Sequence, residues 1–498
     1  MCLFGICSLA VPLRAGLVGA DVNIPEDNPG YYDKNVNRST TKYAYQLFNQ
    51  PGINPAAYWD NQVEQYQSAQ LDFIAPWLKG NGQYTGQPDR FREIVAAIYR
   101  RGLTNRLKVT PFDDNPASWT AQWNFDNGRG YGYARPFDLG NQSNWVYVWD
   151  KNLEVFFQNV PDANRLKING RPVISFWSLA PLFVTNTQGN ASKLVLYIRQ
   201  KCEAEFGFNP YVIVPEEWPT RDTTSLASGI IDAVRPWFVP LPVSPAFSTW
   251  NLTKPSERIN DVIIGCAVPS YMGLPNVIDP DHGETLATGM QNTVRHATLT
   301  FLEGFDDYWE AATIYRARNI NPTTGAAESY ADELYDYPNQ RINVTRKYGN
   351  NPFPSDLKEE AEGCDTFGGG VSRSDSPNFY RNGAISIFPC TDTYGGYYVG
   401  QLQANQWLQW LEVPIQGSVK IVTRVATSNA TSKMHFVIDG TTEPTITLRN
   451  TSGAFATCDM GNYTFPNRSY HTVRLIFDTG GYDVNFWQLA DPSISIRR

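Results

Sequence analysis

Carboxylic acids and aromatic rings follow the apolar segments of the first two thirds of the 498-residue chain. Hydrolysis of a glycosidic bond needs two carboxyl groups, one as general acid and one as base or nucleophile, and a tryptophan ring can stack on the face of a sugar. The candidate catalytic residues are Asp113, Glu216, Glu217, Glu303, Asp306 and Glu310. The candidate substrate-binding residues beside them are Trp77, Lys79, Asp114, Trp177, Trp218, Tyr271, His282 and Trp309.

Glu303 has the strongest claim to a functional role among these acids. It directly follows the apolar segment 297–302, where an unpaired charge would be costly to bury. The other groups have structural alternatives: a turn or a helix cap for Asp113, Asp114, Asp306 and Asp307, an ion pair or a solvated position for Glu216 and Glu217, and a loop position for His282.

Strand-like and helix-like segments alternate between residues 40 and 320, and they must position these side chains. Continuous apolar strands, rather than alternating ones, are typical of strands buried on both faces. Eight of them interleaved with helices predict a (β/α)8 TIM barrel, an α/β fold whose catalytic residues lie at the carboxyl ends of the strands. A doubly wound sheet is the alternative, but its glycine-rich phosphate turn is missing. The predicted strands are 42–48, 71–77, 107–112, 171–177, 210–215, 236–240, 261–266 and 296–301.

The texture of the sequence changes at about residue 358. Short strands there alternate polar and apolar residues between Gly, Asn and Asp turns, which predicts an all-β sandwich. The preceding segment is rich in Asn, Pro and charge, as in barrel-end packing and a linker. The predicted organisation is a signal peptide over 1–20, a barrel over 21–335, a linker over 336–357 and a β-sandwich over 358–498.

The composition excludes several classes of protein. Charged residues make up 18% of the chain, against about 25% in an average soluble domain. The net charge of −8 leaves no basic surplus to neutralise phosphates, so nucleic acid is not an expected partner. No apolar run reaches about 18 residues, so no membrane partner is expected. The low charge favours a neutral polymer as the partner, and we expect a monomer.

The first twenty residues predict export from the cell. An apolar stretch from Cys2 to Leu13 and the small residues before Asp21 are typical of a secretory signal cleaved after Ala20. The missing positive start and Arg14 leave a buried strand or a start-site error as alternatives. Nine Asn-x-Ser/Thr sequons favour a secreted, extracellular glycoprotein. They are at Asn37, Asn141, Asn190, Asn251, Asn343, Asn429, Asn450, Asn462 and Asn467.

Five cysteines lie beyond the predicted signal peptide. Cys364 and Cys390 both lie near turn residues in the C-terminal third, and we expect them to pair, which leaves an odd thiol elsewhere. No spacing of Cys and His suggests zinc. We expect no cofactor for catalysis.

The segment Thr300–Ile314 resembles the last strand of two groups of glycoside hydrolases, the fungal α-1,3-glucanases (mutanases) and the endo-α-mannosidase-like barrels. Their pattern carries two catalytic carboxylates three residues apart. The resemblance implies that Glu303 is the first carboxylate, with Leu302 standing where the families have Asn. The second is Asp306 when counted forward, or Glu310 when counted back from the end of the segment. An α-linked glucan is the substrate that this resemblance implies.

The segment 397–413 resembles the core of carbohydrate-binding modules of families 6 and 35, and the similarity continues to about residue 490. It implies a jelly-roll sandwich with a structural Ca²⁺. In those families glutamates of the first strand help to hold this ion, which implies Glu360 and Glu362 here, with Asp483 or Asn485 as a later oxygen ligand. The resemblance also implies sugar contacts from loop aromatics, for which the candidates are Tyr380, Tyr394 and Tyr482.

Together these features predict a secreted glycoside hydrolase that cleaves a polysaccharide with a carboxylate pair, aided by a C-terminal carbohydrate-binding module. The competing hypothesis is a non-catalytic carbohydrate-binding protein with an inactive barrel, which Leu302 favours. A polysaccharide lyase or esterase is a third class. The acidic rim argues against it, because lyases often use basic residues at the site.

Overall fold

The computed structural model describes ten stretches of the chain, and all structural statements below refer to them. They are residues 16–23, 45–46, 55–80, 87–129, 135–236, 262–271, 278–307, 311–318, 335–369 and 385–495.

The described residues of the first part of the chain contain sixteen short strands. They are β1 (Leu17–Val22), β2 (Tyr45–Gln46), β3 (Phe73–Leu78), β4 (Lys108–Val109), β5 (Phe112–Asp113), β6 (Phe137–Asp138), β7 (Lys167–Ile168), β8 (Arg171–Phe176), β9 (Val184–Thr185), β10 (Tyr211–Pro215), β11 (Ala233–Arg235), β12 (Ile264–Ala267), β13 (Leu299–Leu302), β14 (Asp306–Asp307), β15 (Ala312–Thr313) and β16 (Ala317–Arg318).

Eight parallel strands form a nearly closed barrel in the order β11-β10-β8-β5-β3-β1-β13-β12. The first and last barrel strands in the sequence meet, with Ala20 opposite Leu302 on one side and Ile74 on the other. No ladder joins β11 to β12 among the described residues. The prediction of eight buried parallel strands is therefore confirmed, because neighbours cover both faces of each strand.

The first barrel strand is not the one predicted. Residues 42–48 contribute only the two-residue β2, which pairs with β16 outside the barrel. The barrel strand is β1, which is buried from Val18 onward. The predicted cleavage point after Ala20 therefore falls inside β1, and the predicted barrel start at residue 21 is corrected to residue 17 or earlier. An apolar segment of this length satisfies both a leader and a doubly buried strand, so its sequence alone does not separate them.

The sixth barrel strand is also displaced from its predicted position. It is β11, which ends at Arg235, whereas the sequence predicted a helix up to Val234 and a strand over 236–240. Residues 237–240 lie outside the described part of the chain. The correction brings Arg235 into the barrel wall, where its charge must be compensated.

Helices cover the outside of the barrel. They are α1 (Pro55–Ser68), α2 (Gln87–Arg100), α3 (Asn115–Asp126), α4 (Gln142–Tyr147), α5 (Glu154–Asn159), α6 (Asn190–Phe206), α7 (Trp218–Arg221), α8 (Glu284–Thr293) and α9 (Gln340–Tyr348), with a π-helical turn at Val148–Leu153 and 3₁₀ turns at Asp162–Asn164, Thr223–Leu226 and Asp281–Gly283.

The predicted amphipathic face of α2 is present, since Phe91, Ile94 and Ile98 are buried in the core between barrel and helices. Ile342 of α9 is buried in the same core. The segment predicted to pack at the barrel end therefore includes a helix that lies on the barrel. No helix in the described ranges is both long and apolar enough to cross a membrane.

The C-terminal part is an antiparallel sheet system of ten strands. They are β17 (Lys358–Glu360), β18 (Thr366–Gly368), β19 (Ser386–Pro389), β20 (Tyr397–Gly400), β21 (Trp407–Thr427), β22 (Lys433–Ile438), β23 (Thr441–Thr442), β24 (Ile446–Thr447), β25 (Phe455–Phe477) and β26 (Tyr482–Ala490). The order along the sheet is β19-β20-β26-β21-β25-β22-β23, with the remaining strands paired at its sides. Its core, around Trp410 and Trp487, also receives Ala57 of α1, so the sandwich packs directly on the barrel.

The structure contradicts two predictions, the Cys364–Cys390 disulfide and the glycosylation sequon at Asn343. The five described cysteines are buried and form no disulfide, so the predicted Cys364–Cys390 pair is wrong. The sequon at Asn343 is buried, and its side-chain amide donates to the carbonyl of Leu411, so this residue is not accessible to a glycan. Six other sequons keep at least part of the asparagine exposed: Asn141, Asn190, Asn429, Asn450, Asn462 and Asn467.

Candidate functional site

The carboxyl ends of four barrel strands, with the short strand after the last of them, bring a polar layer together at one end of the barrel. Asn23 follows β1, Lys79 follows β3, and Asp114 follows β5. Glu303 follows β13, and Asp306 opens the short β14. Parallel strands end at the same edge, so residues far apart in the chain meet there. We call this layer the barrel mouth.

A buried ion-pair cluster lies directly beneath Glu303. The Arg235 guanidinium contacts both Asp21 carboxylate oxygens, and one of its nitrogens is 3.3 Å from Glu303 Oε2. The same guanidinium lies over the Phe301 ring, 4.2 Å from its centre. Burial raises the pKa of Asp21, although Arg235 opposes that shift. Glu303 is thus held toward the barrel axis by a cation that Asp21 keeps in place.

Asp306 carries a proton at neutral pH. Burial raises its pKa from 3.8 to about 8, and the neighbouring Asp307 adds to this shift. The backbone N–H of Asn23 donates to Asp306 Oδ1 at 2.5 Å and opposes the shift, as does Lys79. Asp306 is 1% exposed and Glu303 is 6% exposed. Two carboxyl groups three residues apart therefore lie in different electrostatic surroundings.

Lys79 links the acids across the mouth. Its ammonium donates to Asn23 Oδ1 at 2.8 Å and lies 5.4 Å from the centre of the Trp77 ring. It lowers the pKa of both Asp114 and Asp306, and both carboxyls are therefore near it. Burial has the larger effect on Asp114 and raises its pKa to about 6. Lys79 is the one predicted binding residue that connects two candidate acids.

The pair Asp113-Asp114 divides between two roles. Asp114 Oδ1 accepts the backbone N–H of Ala117, so the helix-cap alternative applies to it. Asp113 is fully buried, accepts a hydrogen bond from Asn152 at 2.6 Å, and has a pKa far above its usual value because of burial. Asp113 is therefore held against Asn152 away from solvent, and its catalytic role stays a prediction.

Of the two acids after β10, one joins neighbouring loops, and the catalytic roles of both stay predictions. Glu217 Oε1 accepts the backbone N–H of Leu179 at 2.9 Å and so ties two barrel loops together. Glu216 beside it is half-buried. Trp218 is fully buried and donates to the carbonyl of Trp177, so its predicted role as a sugar-stacking ring is wrong. Glu217 and Trp218 both serve the loop packing.

Four other predicted aromatic and histidine positions are at least partly exposed. Trp77 and Trp177 are half-buried, so part of each ring is accessible. Tyr271 is also half-buried and forms a bridge with Ile278. His282 is exposed, and Asp336 2.6 Å away raises its pKa. The remaining candidates, Trp309, Glu310 and Tyr380, lie outside the described residues.

Two of the predicted sugar contacts of the sandwich lie within the described residues, and neither is fully exposed. Tyr482 is buried in the core and donates to the carbonyl of Lys433, so its predicted binding role is wrong. Tyr394 packs edge-on against Phe486, and its carbonyl accepts from Arg101 of the barrel. Tyr394 thus lies against the barrel rather than facing a ligand.

The residues predicted to hold calcium do not fit that ion. Glu360 is 2.6 Å from both Arg101 and Lys358, so two cations already lie against its carboxylate. Asp483 accepts a backbone N–H from Gln401 instead of joining the glutamates. Burial raises the pKa of Glu362 well above its usual range. No group of three Asp, Glu, His or Cys side chains within the described ranges is arranged to hold a metal ion.

Sequence reasoning missed Asp21, Asn23 and Arg235. The first two were missed because the first barrel strand was placed at residues 42–48. Arg235 is the only charged residue of the apolar run 233–243, and a charge there is costly without a partner. That isolated arginine was the signal that could have found it.

Two protein-family models match this chain. A family model described as a domain of unknown function (DUF5010) matches residues 14–366. The chain belongs to this family. A second model, for a carbohydrate-binding module of family 35, matches residues 381–489 of this DUF5010 protein. No curated protein matches the chain.

Several solved structures resemble parts of the DUF5010 protein. A glycoside hydrolase-like protein is 13% identical, with a TM-score of 0.46 over 68% of this chain and 94% of its own. The GH99 endo-alpha-mannosidase from Bacteroides thetaiotaomicron is 11% identical, with a TM-score of 0.43 over 66% of this chain and 98% of its own. The C-terminal CBM6 of LamC, a laminarinase from Zobellia galactanivorans, is 19% identical, with a TM-score of 0.23 over 27% of this chain and 99% of its own.

Proposed function

We propose that this protein is a glycoside hydrolase that cleaves a neutral polysaccharide at the barrel mouth. Asp306 is the general acid, and Glu303 is the ionised carboxylate that acts as base or nucleophile. The observation that carries the proposal is the contrast between these acids. Asp306 keeps its proton because its pKa is about 8, whereas Glu303 is paired with Arg235. Two acids whose surroundings favour different protonation states suit the roles of general acid and of base or nucleophile.

The chemistry follows from these two protonation states. The Asp306 carboxyl gives its proton to the oxygen of the leaving sugar. As base, the Glu303 carboxylate takes a proton from the attacking water; as nucleophile, it bonds to the sugar carbon, and water then hydrolyses that bond. Lys79, near Asp306, limits how far burial can raise the pKa of the acid. The accessible parts of Trp77 and Trp177 supply stacking surfaces for sugar rings.

The rest of the molecule supports action on a polymer. The C-terminal sandwich, a jelly roll of the carbohydrate-binding type, keeps the nearly closed (β/α)8 barrel close to its polysaccharide. An α-linked glucan is the first substrate to test. The protein acts outside the cell as a monomer, and the exposed sequons support this location.

A specific observation favours a second candidate, a non-catalytic carbohydrate-binding protein. Both acids are almost fully covered, and Glu303 is already engaged by Arg235. A barrel that only holds sugar needs no accessible acid, so this arrangement also fits an inactive descendant of a hydrolase.

The experiment compares the wild type with Glu303→Gln, Asp306→Asn and Asp72→Asn on a panel of α- and β-linked neutral glycans, with new reducing ends as the readout. Asp72 is the control, because it is a half-buried acid at the opposite end of β3 that accepts the N–H of Val18 and whose pKa burial also raises. We expect release by the wild type and Asp72→Asn only. Binding without release by the wild type would favour the second candidate, and release by Glu303→Gln would overturn the assignment.

A further inference from the structure

The barrel inserts a cation into the first strand of the sandwich. Arg101, directly after α2, contacts Glu360 of β17 at 2.6 Å, and Lys358 of the same strand lies 2.6 Å from the same carboxylate oxygen. The exposed fractions of these side chains are 1% for Arg101, 3% for Glu360 and 5% for Lys358. We call Arg101, Lys358 and Glu360 the interdomain ion cluster. A buried carboxylate needs such partners, because its desolvation is otherwise uncompensated.

The backbone of the sandwich is shaped to let the barrel approach this closely. Gly395 has a φ of +66°, and a Cβ there would lie 1.9 Å from Asp60 Oδ2 of α1. Arg101 also donates to the carbonyl of Tyr394 at 3.2 Å. Only glycine fits at such a position. The contact between Arg101 and β17 is thus part of a built interface.

Neighbouring acids of the same interface also have cations of this chain beside them. Glu64 is 2.8 Å from Arg316, and Glu359 is 3.6 Å from Arg346. Every positive charge named here is a lysine or arginine side chain, and most of them come from the barrel side of the interface. Electrostatic compensation of β17 therefore depends on the barrel.

We propose that Arg101 and Lys358 take the place that a structural calcium ion would hold in the sandwich, so that this sandwich binds no calcium and instead depends on the barrel. A divalent cation placed at Glu360 would lie beside an ammonium and a guanidinium, and like charges repel strongly where water is excluded. The late strand contributes Asn485, whose amide donates to Asp392, rather than a third carboxylate near Glu360.

The first test measures thermal unfolding and metal content of the full-length wild type. We expect the same Tm in buffer, in excess EDTA and in excess CaCl₂, and far less than one calcium per chain after dialysis. A ligand that binds only the folded state must raise Tm. A fall in Tm with EDTA that calcium restores would overturn the proposal. The oxygens to examine as ligands would then be Glu360 Oε2 and Asn485 Oδ1, which are buried and accept no hydrogen bond from a described residue.

The second test compares Arg101→Gln with Arg106→Gln. Arg106 also joins the barrel to the sandwich side, through Asp356, but these side chains are 43% and 51% exposed. We expect Arg101→Gln to lower Tm by roughly 5–10 °C, and Arg106→Gln to lower it by about 1 °C. Equal Tm values for the two variants would overturn the role of Arg101. If Arg101→Gln fails to fold, the calcium measurements on the wild type still decide.

Discussion

Two acids at opposite ends of the barrel, Asp232 and Asp306, are compensated to opposite degrees. At the end where strands begin, Asp232 accepts hydrogen bonds from Arg171, Arg199 and the N–H of Val212, all between 2.6 and 2.9 Å. Burial alone would raise its pKa, but these donors outweigh burial and lower it. At the mouth, Asp306 receives one backbone donor, and burial raises its pKa to about 8.

The difference lies in how completely desolvation is compensated. Two guanidinium groups keep Asp232 ionised, which suits a group that only ties strands and helices together. Asp306 is left under-compensated, which costs stability but keeps a proton available for transfer. Perturbed acids in a cleft are typical of functional sites for this reason.

The largest effect is expected for Asp306→Asn. Loss of the general acid should lower kcat/KM by about 10²–10⁴-fold, with little change in Tm because a neutral amide replaces a neutral acid. Reducing-end assays and thermal unfolding of the same sample measure both. If Asp306→Asn keeps full activity, Asp306 is not the general acid.

At the opposite end, Asp232→Asn should act on stability rather than on activity. It leaves Arg171 and Arg199 without their carboxylate, so we expect a loss of about 2–4 kcal/mol in the free energy of unfolding. Denaturant titration measures it, and kcat of the folded fraction should be unchanged. A drop in kcat at full folding would show that this end also takes part in the reaction.

The contributions of Asp306 and Asp232 to the stability of the fold should depend on pH with opposite signs. The folded pKa of Asp306 is about 8 against 3.8 for an ordinary Asp, so its contribution is fully present below about pH 4 and is lost as the pH rises through 8. The pKa of Asp232 is lowered, so its contribution is present above 3.8 and is lost in acid as the pH falls through its folded pKa. Tm measured from acid to alkaline pH should show the alkaline loss disappear in Asp306→Asn and the acid loss disappear in Asp232→Asn. Retention of either slope in its own variant would contradict the corresponding assignment.

The smallest effect is expected for Lys79→Met. Removing the ammonium takes away a charge that lowers the pKa of Asp306, so the alkaline limb of the activity profile should move up by about one pH unit. The measurement is kcat against pH. A shift toward lower pH would mean that Lys79 does not act on the acid.

The sequence predicted the site only where local pattern sufficed. Glu303 was singled out because a charge directly after an apolar strand is conspicuous, and Asp306 because the resemblance to glycoside hydrolases places a second carboxylate three residues on; their catalytic roles stay predictions. Trp218 was misassigned, because strand-end residues point either to the mouth or into the loop packing, and the sequence carries no information on that direction. Strand β1 was misread because one apolar segment satisfies two physical roles.

By itself, the sequence determined that eight apolar strands would be buried together and that an alternating, turn-rich part would form a second, antiparallel unit. Its periodicity encodes burial, which is a local property. Only the tertiary structure decided which charges meet. Arg235 and Glu303 are 68 residues apart, and Arg101 and Glu360 are 259 apart. These pairs exist because strand order and interdomain packing bring them together, and no short-range pattern specifies partners at such separations.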